Sequence, residues 1–249
     1  MRRHILACLA GCCALSLYTA SAQDAPPAGG EHEAPPYIVI EDFASTPLDS
    51  LPRAWRWRSK DDDKPKLYAV REVNGRRYLA AQDTGHSVVL MKRFHWNPRQ
   101  YPIMTWCWRT DALPPGGDER YTETNDSAAG VHVIFSRNLL GIPRQIKYVW
   151  STTLAPGTVS RRKGIARPWF VVLQSGPEKL GQWLQEWVDL EKDHERILSS
   201  KLPKKTIGIA LLTDANSTRG YAAAAYADFR VWPRSALAHI PNYCAGLPP

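Results

Sequence analysis

The sequence predicts an all-β fold, a two-sheet antiparallel β-sandwich of the jelly-roll type with one short helix near residues 189–199. Three observations predict it. Short segments in which every second residue is apolar recur along the chain, as expected for half-buried strands. Turn residues separate these segments. No internal repeat or second domain is evident in 249 residues, a length that one sandwich commonly fills.

Residues 37–94 contain five predicted strands. Their bounds are 37–43, 54–57, 67–73, 77–82 and 87–94. Asn74-Gly75 separates the third segment from the fourth, and this dipeptide is the strongest short-range signal for a β-hairpin. We therefore expect the third and fourth strands to pair as antiparallel neighbours.

The stretch from Tyr101 to Trp150 forms the predicted centre of the sandwich, with strands at 101–110, 128–136 and 145–151. In each strand, alternation places a set of bulky apolar side chains on one face. The sets are Met104, Trp106 and Trp108; Val131, Val133 and Phe135; and Ile146, Tyr148 and Trp150. Alternation alone leaves open whether the Trp106 and Trp108 face points to the core or to solvent.

The segment after this centre is harder to interpret. Residues 152–168 are rich in Gly, Pro, Ser and Arg and are predicted to form a long loop. Residues 180–198 fit both helical and alternating spacing. We predict a strand over 183–188 and then a helix that ends near Ser199, because Asp189 can act as the N-cap.

Three more strands complete the predicted sandwich, at 168–174, 205–213 and 221–232. A single domain over residues 37–235 is expected to contain all the strands. A C-terminal tail over residues 236–249 follows it.

The N-terminal segment is typical of an export signal. Two arginines precede an apolar run of about 13 residues, and Ala20-Ser21-Ala22 matches a signal-peptidase site. The run is too short to span a bilayer as a helix. We therefore expect a signal peptide over residues 1–22, a disordered lead-in over residues 23–36, and a periplasmic or secreted protein. A lipid anchor on Cys12, in Leu9-Ala10-Gly11-Cys12, remains the alternative.

Charge and cysteine content limit the function classes. The formal net charge is +8, but the basic runs Arg161-Arg162-Lys163 and Lys204-Lys205 carry no interleaved aromatics, which favours solvated loops over a nucleic-acid surface. Cleavage after Ala22 would leave only Cys107 and Cys244. In an oxidising compartment these two can form a disulfide that holds the tail. A buried thiol and an exposed thiol remain the alternative, because sequence does not give the Cα separation.

Common catalytic motifs are missing from the sequence. The chain has no H-E-x-x-H, no G-x-S-x-G, no Gly-rich phosphate loop and no C-x-x-C. A Ser/His/Asp set assembled from distant positions is neither indicated nor excluded. The sequence therefore favours binding over catalysis.

Aromatic and polar residues together indicate a site for a polar ligand such as a sugar. Trp and Tyr offer an apolar face for stacking, and fixed polar side chains hydrogen-bond to hydroxyl groups. The predicted ligand-binding residues are Trp106, Trp108, Asp126, Tyr148, Trp150, Asp214, Asn216, Tyr226 and Arg230. The alternative for each Trp is a place in the core, because Trp side chains are usually largely buried.

Six short motifs occur in order along most of the chain. They are Glu41-Asp42-Phe43, Tyr101-Pro102 with Trp106-Cys107-Trp108-Arg109, Asn125 through Ala129, Tyr148 through Ser151, Thr213 through Thr218, and Ala225 through Asp228. In this combination the chain resembles the bacterial domain-of-unknown-function family 3047 over about residues 38–232. The resemblance implies an exported β-sandwich protein and supplies no activity or catalytic residues. Asn125 and Ala215 stand where the family pattern implies Asp, which weakens a shared cation site there.

The ends of the predicted sandwich resemble those of carbohydrate-binding and concanavalin-like jelly rolls, in which an acidic-Phe first strand lies beside a last strand ending in Asp. The resemblance implies a structural calcium ion held in part by Asp42 and Asp228. Calcium takes about six to eight oxygen ligands, so main-chain carbonyls and water would have to complete the site. The alternative is that these carboxylates cap turns or pair with Arg230. No other cofactor is predicted.

Three functions compete. The first, favoured by the scattering of polar residues among aromatics, is a periplasmic or cell-surface binding module for a glycan or similar polar ligand. The second is a polysaccharide hydrolase or lyase, which needs two carboxyl groups about 5–10 Å apart. Its candidates are Asp126, Asp214, Asp228 and Glu186. The third is an envelope scaffold protein, for which a flat apolar patch would replace a groove.

Overall fold

The computed structural model describes residues 37–57, 67–164 and 166–248. The predicted signal peptide, the lead-in and Cys12 therefore lie outside the described residues. The strands in chain order are β1 (Ile38–Glu41), β2 (Trp55–Trp57), β3 (Tyr68–Val73), β4 (Arg76–Asp83), β5 (Leu90–Arg93), β6 (Ile103–Ala112), β7 (Ala129–Arg137), β8 (Pro143–Ser151), β9 (Val159–Arg161), β10 (Trp169–Ser175), β11 (Leu184–Asp189), β12 (Gly208–Leu212) and β13 (Ala222–Trp232).

The first sheet contains six strands, all paired antiparallel. Their order is β11-β6-β13-β4-β3, and β1 also pairs with β13. The predicted hairpin is confirmed, because β3 and β4 pair from Tyr68 opposite Ala81 to Val73 opposite Arg76. Asn74 at the tip has a positive φ of 51°, which Asn adopts more readily than most residues.

The second sheet contains seven strands in the order β2-β5-β12-β7-β8-β10-β9. Its pairs are antiparallel except for β8 with β10, which run parallel. The predicted loop over residues 152–168 contains β9, so that prediction is wrong for Val159–Arg161. β9 is the edge strand of this sheet and pairs with the main chain of β10, and such pairing does not depend on side-chain composition.

The two sheets pack face to face, which confirms the predicted β-sandwich. Trp106 of β6 lies 5.8 Å from Tyr148 of β8, measured between ring centroids, and Trp108 lies 6.0 Å from Trp150. The core also contains the residues of β7 and β8 that alternation placed on the same faces, Val131, Val133, Phe135 and Ile146. Face-to-face sheets lie about 10 Å apart, so large rings from both sides fill the space between them.

The segment with ambiguous spacing forms a strand and then a helix, as predicted. β11 ends at Asp189, and α1 (Leu190–Leu198) begins directly after it. Asp189 is the N-cap, and its carboxylate accepts a hydrogen bond from the Lys192 amide at 3.2 Å. The alternating spacing belongs to β11 and the helical spacing belongs to α1. Within the described part of the chain, no helix is long and apolar enough to cross a membrane.

A disulfide bond joins Cys107 of β6 to Cys244 in the C-terminal tail, with their Cα atoms 5.6 Å apart. Of the two alternatives that the sequence left open, the disulfide is therefore correct. Cys107 lies on the outer face of the six-stranded sheet, where it packs with Ala227 and Leu247. A 3-10 helix (Arg234–His239) leads from β13 into the tail. The bond ties this last segment to a central strand.

Loss of this disulfide is expected to destabilise the protein. The bond joins residues 137 positions apart, so breaking it releases a long loop in the unfolded chain. Cys244→Ser should lower the free energy of unfolding by about 2–4 kcal/mol. Guanidinium unfolding with and without a thiol reductant measures the change, and Cys107→Ser/Cys244→Ser should show no response to the reductant. Equal midpoints for the oxidised and reduced wild type would contradict the prediction.

Candidate functional site

The predicted aromatic ligand wall does not lie on the surface that the structure describes. Its five members are fully buried in the core, namely Trp106, Trp108, Tyr148, Trp150 and Tyr226. Each side chain points into the space between the sheets, where burial of an aromatic ring contributes most to stability. The expectation that these rings face a ligand is therefore wrong, and the core alternative for the Trp residues is correct.

Tyr226 also links the two sheets through its hydroxyl group. The hydroxyl lies 2.9 Å from Thr213 Oγ1, accepts a hydrogen bond from the Gly130 amide at 3.2 Å and donates to Leu212 O at 3.2 Å. Burial raises the pKa of Tyr226 to about 12. The side chain is a neutral structural connection and offers no group to a ligand.

Asp228 and Arg230 lie with the C-terminal tail, on the outer face of the six-stranded sheet. Arg230 donates to Asp228 Oδ1 at 2.9 Å, and Arg76 contacts the other carboxylate oxygen. The Arg230 guanidinium also lies 4.0 Å from the ring centroid of Tyr243. These contacts make Asp228 and Arg230 an ion-pair cluster, as the alternative proposed, and they do not join any other predicted site residue.

The predicted calcium site does not fit this arrangement. Both carboxylate oxygens of Asp228 contact guanidinium groups, which compete with a cation for the same lone pairs. Asp42 Oδ1 accepts a hydrogen bond from the Ala44 amide at 3.0 Å and so caps a turn. No group of three or more His, Cys, Asp or Glu side chains placed to hold a metal ion occurs among the described residues.

Asp126, Asp214 and Asn216 do come together, at one end of the seven-stranded sheet. The fully buried Asp126 accepts hydrogen bonds from the amides of Ser217 at 3.1 Å and Thr218 at 2.6 Å. The main-chain N–H of Asn216 donates to Asp214 Oδ1 at 3.5 Å. Asp126 therefore holds the loop that positions Asp214 and Asn216, and it is not itself available to a ligand.

A buried lysine beside Asp214 is the main feature that the sequence interpretation missed. Lys147 of β8 is 5 % exposed, and its Nζ donates to Ser127 Oγ at 2.9 Å. Ser127 Oγ in turn donates to Glu119 Oε1 at 2.9 Å, and Ser151 Oγ donates to Glu119 Oε2 at 2.8 Å. A hydrogen-bonded network thus connects the lysine to a buried carboxyl group.

Burial shifts the ionisation of this cluster toward neutral forms. It lowers the pKa of Lys147, although Asp214, Glu119 and Asp126 act in the opposite direction. Burial raises the pKa of Glu119 and raises that of Asp214 to about 6, while the Lys147 charge favours both carboxylates. Near neutral pH, small changes in this environment can therefore change the charge of Asp214.

The absence of a side chain at Gly130 makes room for Lys147. A Cβ atom at Gly130 of β7 would lie 2.7 Å from Lys147 Cε and 3.1 Å from the Leu212 carbonyl oxygen. The first of these distances is too short for two carbon atoms. The lysine side chain therefore crosses β7 at a residue that leaves space for it.

The cluster lies at one end of a groove on the outer face of the seven-stranded sheet. The outer hollow, of about 800 Å³, is lined by residues of β2, β5, β12, β7 and β8. The inner hollow, of about 330 Å³, is lined by Lys147, Glu119 and Asp214, among others. The two hollows share Val89, His132, Gln145 and Ala166. Because they share these residues, the two hollows adjoin, and together they are called the groove below.

The groove contains few of the predicted site residues. Of the four carboxyl candidates for a hydrolase or lyase, only Asp214 lines it. Glu186 instead accepts hydrogen bonds from Trp108 Nε1 at 3.1 Å and Gln174 Nε2 at 2.8 Å. One signal could have indicated the groove: His132 and Lys147 each occupy the outward position of a strand whose inward residues are apolar.

A comparison with protein-family models gives the family. The model described as a protein of unknown function (DUF3047) matches residues 53–230. The chain belongs to this family. The resemblance that the ordered motifs indicated is thus confirmed, and the match includes most strands of both sheets of this DUF3047 chain. No curated protein matches it.

Several solved structures are similar to the DUF3047 chain at low sequence identity. The family 11 carbohydrate-binding module of cellulase Lic26A-Cel5E of Clostridium thermocellum shares 9% identity, with coverage of 81% of this chain and 96% of that one and a TM-score of 0.43. The family 30 module of Cel9D-Cel44B of the same organism shares 12%, covering 79% and 98%, with a TM-score of 0.40. The xyloglucanase domain of NopAA from Sinorhizobium fredii shares 11%, covering 76% and 98%, with a TM-score of 0.40.

Gly130→Ala is expected to destabilise the DUF3047 chain through Lys147. The new methyl group overlaps the lysine side chain, so the free energy of unfolding should fall by about 1–3 kcal/mol. Urea unfolding measures the loss. In a Lys147→Ala background the overlap is gone, and Gly130→Ala should lower the free energy of unfolding by a clearly smaller amount. An equal cost in both backgrounds would show that Lys147 does not cross β7 at this residue.

The raised pKa of Asp214 predicts a pH-dependent stability. Its folded-state value of about 6 exceeds the ordinary 3.8, so the folded chain binds a proton more tightly than the unfolded chain. The resulting stabilisation of the folded chain is fully present below about pH 4 and is lost as the pH rises through 6. Relative to Asp214→Asn, the wild type should lose about 2–3 kcal/mol of unfolding free energy between pH 4 and pH 7.

Urea unfolding of both proteins across this pH range measures the difference. Parallel stability curves would show that Asp214 has an ordinary pKa. The comparison uses the difference between the two proteins because other groups titrate in the same range.

Proposed function

We propose that this protein is a binding module for a glycan or a similar extended polar ligand, which occupies the groove on the seven-stranded sheet. One observation carries the proposal: two adjoining hollows extend from β2 to the Lys147 cluster. Neighbouring strands lie about 4.8 Å apart, so a groove that crosses from β2 to β8 is about 20 Å long. That length suits several units of an oligomer better than one small molecule.

The chemistry of the groove supports a polar ligand that also has apolar surface. His132 and Gln145 lie at its centre, with His132 Nδ1 3.2 Å from Gln145 Oε1. The side-chain NH2 group of Gln145 is a donor suited to a hydroxyl group. Met91, Ile134 and Ala210 provide apolar floor beside them. Ligand sites in proteins commonly combine an apolar surface with a few placed polar groups.

Binding is favoured over hydrolysis because two of the three carboxyl groups near the groove, those of Glu119 and Asp126, are already engaged, whereas a pair of available carboxyl groups is needed for hydrolysis. Both oxygens of Glu119 accept serine hydroxyl groups, and Ser127 connects Glu119 to Lys147. Asp126, buried behind this network, accepts two main-chain amides. A groove also favours a ligand-binding module over an envelope scaffold.

We also propose that the protein acts outside the cytoplasm, in the periplasm or at the cell surface. The N-terminal sequence and the Cys107–Cys244 disulfide support this location, because structural disulfides persist mainly in oxidising compartments. Fractionation of cells that produce the full chain, with mass spectrometry of the N-terminus, tests it. A chain that keeps residue 1 and remains in the cytoplasm would contradict the proposal.

A glycan array tests the proposed function. The purified protein should bind at least one class of glycan, and Gln145→Ala should weaken that binding about ten-fold, because a groove hydrogen bond is lost. Gln82→Ala removes an exposed glutamine from β4 in the other sheet and is the matched control. Failure of the folded wild type to bind any glycan would contradict the proposal, and equal losses in both variants would exclude the groove.

A further inference from the structure

We infer that the ligand of this groove is anionic: a glycan that carries carboxylate or sulfate groups along its length. The inference rests on the proposed function and specifies its ligand class. It comes from the distribution of charge in the groove, which differs from the distribution elsewhere on the described surface.

Cationic side chains line the groove along its whole length. The residues are Arg56, Arg93, Arg137, Lys147, Arg162 and Arg167. Arg56 belongs to β2, at one end of the sheet order, and Lys147 to β8, four strands further on. The cations are therefore spread over a distance of about 20 Å, and they match a ligand with several separate anionic groups.

Among the described residues, no arginine of the groove forms an ion pair with Asp or Glu, although Asp214 and Glu123 lie near enough to Arg162 to favour its charged form. Arg56 Nη1 donates to Trp55 O at 2.9 Å, and Arg137 Nη1 donates to Gly141 O at 2.8 Å. These bonds to main-chain carbonyl oxygens orient the guanidinium groups but do not neutralise them. Elsewhere arginines do pair with carboxylates, as Arg120 does with Asp118 and Arg234 does with Glu191.

Acidic residues are confined to one end of the groove. The outer hollow has three arginines and no Asp or Glu among its described lining residues. Glu119 and Asp214 line the inner hollow, where Lys147 faces both of them. A concave surface with one sign of charge focuses the field and attracts ligands of the opposite sign. The outer hollow is thus positive, and only the inner end is near balance.

Guanidinium groups suit the proposed anions. Each presents a planar fork of N–H donors that binds a carboxylate or sulfate through two parallel hydrogen bonds. Recognition by charge also explains how a glycan can be bound when the predicted stacking rings are in the core.

A glycan is favoured over a nucleic acid because single-stranded nucleic acids are held largely by stacking of bases on aromatic rings. Trp57 and the buried Phe170 are the Trp, Tyr or Phe side chains among the described lining residues. That is too few for successive bases to stack on. An anionic glycan requires charge and hydroxyl partners, and the groove provides both.

The test is calorimetric titration of the purified protein with polygalacturonate and with the same polymer after reduction of its carboxyl groups. The acidic polymer should bind at least ten-fold more tightly, and added salt should weaken that binding more than it weakens binding of the reduced polymer. A sulfated galactan tested in parallel identifies the anionic group. A preference for either acidic polymer over the reduced one supports the inference.

Variants that each remove one arginine charge show which residues bind the acidic polymer. Arg56→Gln and Arg137→Gln should each weaken binding of the acidic polymer about ten-fold, through loss of a charge-assisted contact, and should leave binding of the reduced polymer unchanged. Arg71→Gln removes an exposed arginine of β3 in the other sheet and should leave both affinities unchanged. Circular dichroism shows that each variant is folded.

Three outcomes would overturn the inference. Equal binding of the acidic and reduced polymers would leave the proposed function standing and show that charge does not select the ligand. Absence of binding to these polymers and to every glycan on the array would overturn both proposals. Equally tight binding of single-stranded DNA, weakened by the same arginine variants, would identify the groove as a nucleic-acid site.

Discussion

The register of β8 is the constraint on which both the core and the groove depend. Ile146, Tyr148 and Trp150 point into the core, and the residues between them point outward. A slip of one residue would exchange the two faces and place Lys147 among the aromatic rings. The contacts of Tyr148 with Trp106 and of Trp150 with Trp108 oppose such a slip. The aromatic residues therefore act on the site indirectly, by holding the strand that carries it.

The buried lysine illustrates how the cost of burying charge is offset. Removing an ammonium group from water costs several kcal/mol, and the cost is reduced only by close partners. Ser127 Oγ supplies a hydrogen bond, while Glu119 and Asp214 supply opposite charge. Because these groups come from two loops and a strand, the lysine also links segments that would otherwise be independent. Removing one partner should leave an uncompensated charge, which makes the cluster a cooperative unit.

The groove and the ion-pair cluster at the tail show two different uses of arginine. Arg76 and Arg230 surround the carboxylate of Asp228 near the disulfide, and their charge is balanced within the fold. Arg56 and Arg137 are held by main-chain carbonyl oxygens, so their charge is directed to the groove. Ion pairs that are complete within the protein contribute to structure, whereas oriented cations without a carboxylate partner are suited to an external anion. On the proposed function, the arginines of the two outer faces have separate roles.

The sequence by itself determined the sandwich, nearly all of its strands, the Asp189 helix cap and the family, because these depend on local alternation, turn chemistry and ordered motifs. It also predicted Asp126 and Asp214 as site residues, and the loops that carry them are hydrogen-bonded to each other in the structure. Tertiary structure alone decided that the Trp-x-Trp face points inward, since period two is the same for either direction. It alone brought Glu119 to Lys147 and joined five strands into a groove, because no local pattern records which distant residues share one face of a sheet.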